Sequence, residues 1–192
     1  ETFEDDSPTR DFWTQIQEIG SGSWTYANGA GGGIITDAHG GSLNARFTDI
    51  GEFDITMLVS PAFDLTGVAK PRLIFWYGQE AWEGDQNELY IYYRTASDQP
   101  WEELFYDGSD RDEWTCDSLS LPNASATYQL AFEGIDNFGY ANVLDDVTVK
   151  AATSLTTTWY GGISTDWTDP DNWSDGVPTA GHDVIIDTDT HD

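Results

Sequence analysis

The feature that most limits what this chain can become is the period of its apolar residues. They alternate with polar ones in short runs, and no window keeps apolar residues at i, i+3, i+4 and i+7 through three helical turns. Leu43, Ala45 and Phe47 oppose Asn44 and Arg46. Leu73, Phe75 and Tyr77 oppose Ile74 and Trp76. Leu89, Ile91 and Tyr93 oppose Tyr90, Tyr92 and Arg94. Ile55 to Val59 is a continuous apolar run stopped by Ser60-Pro61, with Phe63 and Leu65 beyond it. Further runs lie at Trp101 to Tyr106, Trp114 to Leu121, Tyr128 to Phe132 and Val143 to Val149. With a short entry strand at Thr2 to Glu4, these are about nine or ten strands at roughly ten-residue spacing. The pattern predicts an all-β fold, a jelly-roll β-sandwich with almost no helix. Trp13, Ile16 and Ile19 are loosely spaced as in a helix, over a segment too short to fix its type. Gly20 to Gly41 reads as a glycine-rich loop.

Composition supports strands over helices, with nine each of Trp, Tyr and Phe and 19 glycines in 192 residues. It also marks a boundary. All seven basic residues lie in 1–150, and the small, polar stretch 151–158 reads as a linker. Residues 159–192 carry Trp159, Trp167 and Trp173 and one clear strand, Val184 to Asp187. Such a segment is too short to bury its own core, so it reads as the truncated start of a second, Trp-rich β repeat domain.

The 35 Asp and Glu against 7 Lys and Arg give a formal net charge of -28. Phosphate backbones and anionic bilayers would be repelled, so nucleic acid is excluded as a partner. No apolar run approaches 18 residues, so no membrane insertion is expected. The opening ETFEDD lacks a basic-then-apolar leader, so a signal peptide is either absent or already removed. Cys116 is the only cysteine, which rules out an intrachain disulfide. Catalytic patterns are missing: there is no HExxH, nucleophile elbow or Ser-His-Asp order, and His39, His182 and His191 fall in loops or the tail. His39 reads as a solvated loop residue. A carboxylate-pair hydrolase would draw on Glu80, Glu83 and Glu133, but 35 acids supply such pairs by chance. The segment reads as no enzyme.

Two constellations remain. In the run Val143 to Val149 the only polar side chains but one are the adjacent Asp145 and Asp146, and alternation buries one of them. A buried carboxylate needs a positive neighbour, which this cation-poor chain supplies most simply as a bound metal. Clustered carboxylates without His or Cys suit Ca2+ better than zinc. The other constellation is aromatic. Trp76, Tyr90, Tyr92 and Arg94 would share one face if their strands are neighbours, with Trp82 in the adjoining loop. That face is either a sugar-stacking platform or part of the core.

The residues also carry a resemblance. Thr2-Phe3-Glu4-Asp5, Met57-Leu58-Val59-Ser60-Pro61, Phe75 in its apolar strand, Tyr128-Gln129-Leu130-Ala131-Phe132-Glu133-Gly134 and Leu144-Asp145-Asp146-Val147 resemble a MAM domain. Equally they resemble its bacterial relatives, the cleaved-adhesin modules of gingipain-type proteases and similar jelly rolls of secreted Bacteroidetes proteins. MAM domains normally carry cysteine pairs, so the bacterial branch fits better. The resemblance covers essentially all of 1–150. It implies that the opening and closing segments lie side by side and share a structural Ca2+, here through Glu4, Asp6 and Asp145 or Asp146, with Asp54 as a mid-chain candidate. The tail is similar to repeat segments of very large bacterial surface proteins. Together these imply a secreted, cell-surface, multidomain protein with a glycan or protein ligand, contacting adjoining domains of its own chain. The rival readings are a structural spacer in a fibre or stalk and an accessory domain of a secreted hydrolase.

Overall fold

The computed structural model describes residues 1–48, 53–151, 155–161, 163–174, 176–178 and 182–186. It divides into two compact units, Glu1–Lys150 and Ala151–Asp192. The first unit holds β1 (Thr14–Ile19), β2 (Thr25–Ala27), β3 (Asn44–Thr48), β4 (Asp54–Val59), β5 (Pro71–Gln79), β6 (Glu88–Arg94), β7 (Glu102–Asp107), β8 (Arg111–Ser120), β9 (Gln129–Asp136) and β10 (Ala141–Ala151). They form two five-stranded sheets in the orders β1-β4-β9-β6-β7 and β2-β3-β10-β5-β8. The pairings β1–β4, β4–β9, β9–β6, β6–β7, β2–β3, β3–β10 and β5–β8 are antiparallel. Sequence neighbours repeatedly enter opposite sheets, as β3 and β4 or β5 and β6 do, which gives a jelly-roll sandwich.

Alternation explains which face of each strand is inside. Leu73, Phe75 and Tyr77 of β5, Leu89, Ile91 and Tyr93 of β6, and Leu130 and Phe132 of β9 are buried together with Phe47, Leu58 and Leu144 in one core between the sheets. At roughly 2 kcal/mol for each fully buried large apolar side chain, this layer is the main source of stability. Phe3 joins it although it lies outside any strand. Its ring stacks on Tyr26 at 5.7 Å and meets Trp13 edge-on at 5.3 Å.

The structure corrects several expectations. No strand forms at Thr2 to Glu4, because Phe3 adopts a left-handed φ of 55° that turns the chain inward. A single residue pair replaces it: Glu1 N donates to Val147 O at 2.6 Å and Val147 N to Glu1 O at 2.8 Å. Residues 14–19, ambiguous in sequence, form edge strand β1, whose Ile16 and Ile19 stay exposed. The glycine-rich segment is not wholly loop, since β2 lies within it.

The second unit pairs β11 (Leu155–Trp159) with β12 (His182–Ile186) in parallel. The stretch read as a linker therefore contains a strand, favoured by three successive β-branched threonines. Trp159, Trp167 and Trp173 pack with ring centroids 4.5 to 5.5 Å apart. Asn172 organises the turn around them, accepting from Ile163 N and Ser164 N and donating to Asp166 O. No described helix is long and apolar enough to cross a membrane.

Candidate functional site

The most developed surface of the first unit is the outer face of the β1-β4-β9-β6-β7 sheet. Strand register lays its side chains in rows. One row runs Ile16, Met57, Glu133, Tyr90, Tyr106, and the next runs Thr14, Val59, Ala131, Tyr92, Glu103. Neighbouring strands are about 4.8 Å apart, so each row extends for roughly 19 Å. Tyr90 and Tyr92 stack at 5.9 Å, and Tyr106 closes on Tyr90 at 4.5 Å. Trp101 packs with Tyr92 against Met57, Val59 and Ala131. The Arg94 guanidinium lies 4.2 Å over the Trp101 ring.

Met57, Val59, Ala131 and Glu133 point away from the core yet are at most 5% exposed. The aromatic rings packed on them produce that burial, so the face is a shallow trough whose apolar floor the rings cover. Tyr106 at its margin is 49% exposed.

Glu133 is the one acid in that floor. Burial, with the Glu18 carboxyl beside it, raises its pKa from the ordinary 4.5 to about 7, while the Tyr92 hydroxyl donating at 3.2 Å opposes the shift. Burial and Glu133 push the Tyr92 phenol up in turn. At neutral pH the trough thus offers a partly protonated carboxyl, which can donate or accept a hydrogen bond, among rings with polar edges.

Of the residues the sequence proposed for a platform, Tyr90, Tyr92 and Arg94 do share this face. Trp76 does not, because β5 belongs to the other sheet; its ring is covered by His39, stacked at 3.7 Å. His39 is accordingly a packed residue rather than a solvated one. Trp82 sits in the β5–β6 loop, where its backbone pairs with Asp85, and lines a separate groove of about 390 Å3 with Arg46, Phe138 and Tyr140. Sequence reasoning missed Tyr106, Trp101 and the Met57–Val59–Ala131 floor. Nothing short of strand register could have shown them, since they come from β4, β7, β9 and the β6–β7 loop.

The carboxylates read as metal ligands fall into two groups. Glu4, Asp145 and Asp146 converge on residues 39–43. Glu4 Oε1 accepts from Ser42 N at 2.6 Å and Leu43 N at 2.8 Å. Asp145 Oδ2 accepts from Gly40 N at 3.0 Å, and Asp146 Oδ2 lies 2.7 Å from His39 Nδ1. Gly40 and Gly41 allow this approach: a Cβ on Gly40 would meet Asp146 Oδ2 at 2.8 Å, and one on Gly41 would strike Glu4. Asp145 is fully buried, and burial lifts its pKa from 3.8 to about 6, which backbone donors only partly offset.

A hard cation fits this donor set in kind: three carboxylates rich in lone pairs, one of them buried without a cation. Asp6 is exposed in the turn before the 3-10 segment Arg10–Phe12. Asp54 is elsewhere, opposite Asp136 on β9, with Oδ1 held by Ser21 N and Gly22 N. Among the described residues no three His, Cys, Asp or Glu side chains form a preassembled metal centre. The hydrolase candidates do not gather either. Glu133 is in the trough, Glu80 accepts from Ile34 N in the other sheet's loops, and Glu83 occupies a turn at φ 50°.

With this geometry described, comparison with solved structures places the architecture. The K1 cleaved adhesin domain of Lys-gingipain from Porphyromonas gingivalis W83 matches with a TM-score of 0.60 at 20% identity, over 79% of this chain and 96% of that one. This chain has the cleaved-adhesin fold. The K2 cleaved adhesin domain of Lys-gingipain matches at 0.57 and 18%, over 77% and 95%. TmCBM61, solved in complex with β-1,4-galactotriose, matches at 0.53 and 12%, over 79% and 99%. No family model matches the chain, nor does any curated protein sequence.

Proposed function

We propose that the first unit is a non-catalytic glycan-binding module of an extracellular adhesin-like protein. The observation that carries this reading is the cluster of tyrosines, exposed Tyr106 with half-buried Tyr90 and Tyr92, on a sheet face over a buried apolar floor. Sugar rings present apolar C–H faces to such rings, and their hydroxyls find partners in Arg94 and Glu103 at the margin. The fold shared with a module whose structure holds a β-1,4-galactotriose supports a neutral, β-linked oligosaccharide as ligand. The adhesin-type neighbours support a cell-surface setting.

In this reading Glu4, Asp145 and Asp146 would hold a structural Ca2+ that ties the chain's opening segment to β10 and the 39–43 loop, and Asp6, exposed in its turn, stays outside the set. The ion would add charge neutralisation where Asp145 is buried. Titration of the protein against neutral polysaccharides, β-1,4-galactan first, followed by calorimetry, tests the module. Saturable binding that weakens at least tenfold in a Tyr90→Ala, Tyr106→Ala double variant is expected. A full panel without heat or spectral change, in a protein that is folded, would leave the spacer reading in its place.

A further inference from the structure

The groove of about 390 Å3 at Trp82 is built from separate stretches of the first unit: residues 30–32, Arg46 and Thr48 of β3, Trp82 itself, and residues 138–140 in the β9–β10 turn. Its rings are presented to solvent, Trp82 being 46% exposed and Phe138 38%. Phe138 holds a left-handed φ of 66°, a costly conformation for an aromatic residue. Asp136 and Asn87 pin it there, accepting from Phe138 N and Gly139 N at 2.9 Å each. Tyr140 N donates to Glu80 O and Thr48 Oγ1 to Tyr140 O, both at 3.1 Å, which ties the turn to the Trp82 loop and to β3.

The groove also holds a cation. Arg10 and Arg111 are ion-paired with Asp5 and Asp107, Arg72 is held by Ser118, and Arg94 by Gln129 and the Trp101 ring. Arg46 is different. Its Nε is buried without a hydrogen-bond partner, and among the described residues no carboxylate pairs with its guanidinium. Gly31, at φ 81°, lets the chain pass close by, since a Cβ there would sit 2.6 Å from Arg46 Nη1. A Cβ on Gly32 would meet Tyr140 Cδ1 at 2.7 Å. No Asp or Glu is among the residues lining the groove, although the chain has 35 of them. A half-buried guanidinium without a partner calls for an anionic group from outside.

A guanidinium matches a planar carboxylate through parallel N–H···O bonds. Aromatic rings beside it take the C–H face of a sugar, and the groove falls in the range of small-ligand sites, roughly 300–1,000 Å3. We propose that this groove binds a uronic acid residue of an acidic oligosaccharide, with Arg46 on its carboxylate and Trp82, Phe138 and Tyr140 against its ring. It is a second site, separate from the tyrosine trough and independent of what the trough binds. The net charge of -28 opposes long polyanions. Screening at physiological salt confines that repulsion to about 8 Å, so a short oligosaccharide or a chain end bearing few charges is the favoured form.

Calorimetry on the full chain tests it, with trigalacturonate, triguluronate and trimannuronate, and with each trisaccharide after reduction of its carboxyls to hydroxymethyl groups. We expect saturable binding of at least one uronate, at least tenfold tighter than its reduced form. Arg46→Gln should weaken that binding at least tenfold with the fold kept, because the guanidinium has no internal partner to lose. Trp82→Ala, on an exposed loop, removes one wall without touching the core; it should weaken binding likewise and keeps the test open should the Arg46 variant fail to fold. The Tyr90→Ala, Tyr106→Ala double variant should bind the uronate as the native protein does. The second site is overturned if the folded native protein binds none of the three uronates, or binds the reduced forms equally well. It is overturned too if a folded Arg46 or Trp82 variant keeps native affinity, or if the loss follows the tyrosine variant instead.

Discussion

At the residue scale, Glu133 carries the clearest prediction. Its folded pKa of about 7 lies above the ordinary 4.5, so between those values the folded form keeps a proton that the unfolded chain releases. Stability from this group is therefore complete below pH 4.5 and lost as pH rises through 7. Glu133→Gln removes the loss. Its melting temperature should equal that of the native protein near pH 4.5 and exceed it increasingly up to pH 8, by the equivalent of roughly 3 kcal/mol for a shift of this size. Parallel curves would show that Glu133 does not titrate in that window. In the same trough, Tyr90→Ala alone should weaken glycan binding by roughly tenfold, about 1.4 kcal/mol, with folding intact, since the ring stands on the solvent side of the sheet. Tyr90, Tyr92 and Arg94 were legible as one face because alternation along a single strand fixes it. Trp76 was misassigned because alternation says nothing about which sheet a strand joins.

At the element scale, the loop 39–43 is the piece that gathers Glu4, Asp145 and Asp146 around one turn. Gly41 has φ 66°, and a side chain there would overlap the Glu4 carboxylate. Gly41→Ala should cost about 1–3 kcal/mol from backbone strain and the displaced carboxylate, and should abolish any stabilisation by Ca2+. Thermal unfolding of the variant with and without chelator checks both. The acidic pair in β10 drew attention in sequence, but the loop's amides and His39 did not, because they lie about a hundred residues upstream and meet the pair only through folding. Edge strand β1 was equally opaque: its side chains are exposed on both faces, so burial left no periodic mark on the sequence.

At the scale of the whole molecule, the all-β sandwich was readable because nearly every core strand alternates cleanly, from Leu73–Phe75–Tyr77 to Leu130–Phe132. Order within the sheets was not, since it depends on long-range pairing. Residues 1–150 carry one continuous core of their own. Expressed alone, they should unfold in a single cooperative transition, followed by near-ultraviolet circular dichroism. Calcium binding only to the folded form should raise that transition's midpoint, with an increment growing as the logarithm of ion concentration over its dissociation constant. A midpoint indifferent to calcium across millimolar concentrations would remove the ion proposed at Glu4, Asp145 and Asp146.

The Glu1–Val147 pair has a mechanical meaning. Two residues that exchange both backbone hydrogen bonds run antiparallel, so the Glu1 amino end and the chain leaving Val147 lie on the same side of the pair. Tension applied through those two points peels the contacts apart one after another instead of shearing many at once. Held in a stretched tether, this unit would yield at its seam first, and an ion bound beside that seam would act as its rivet.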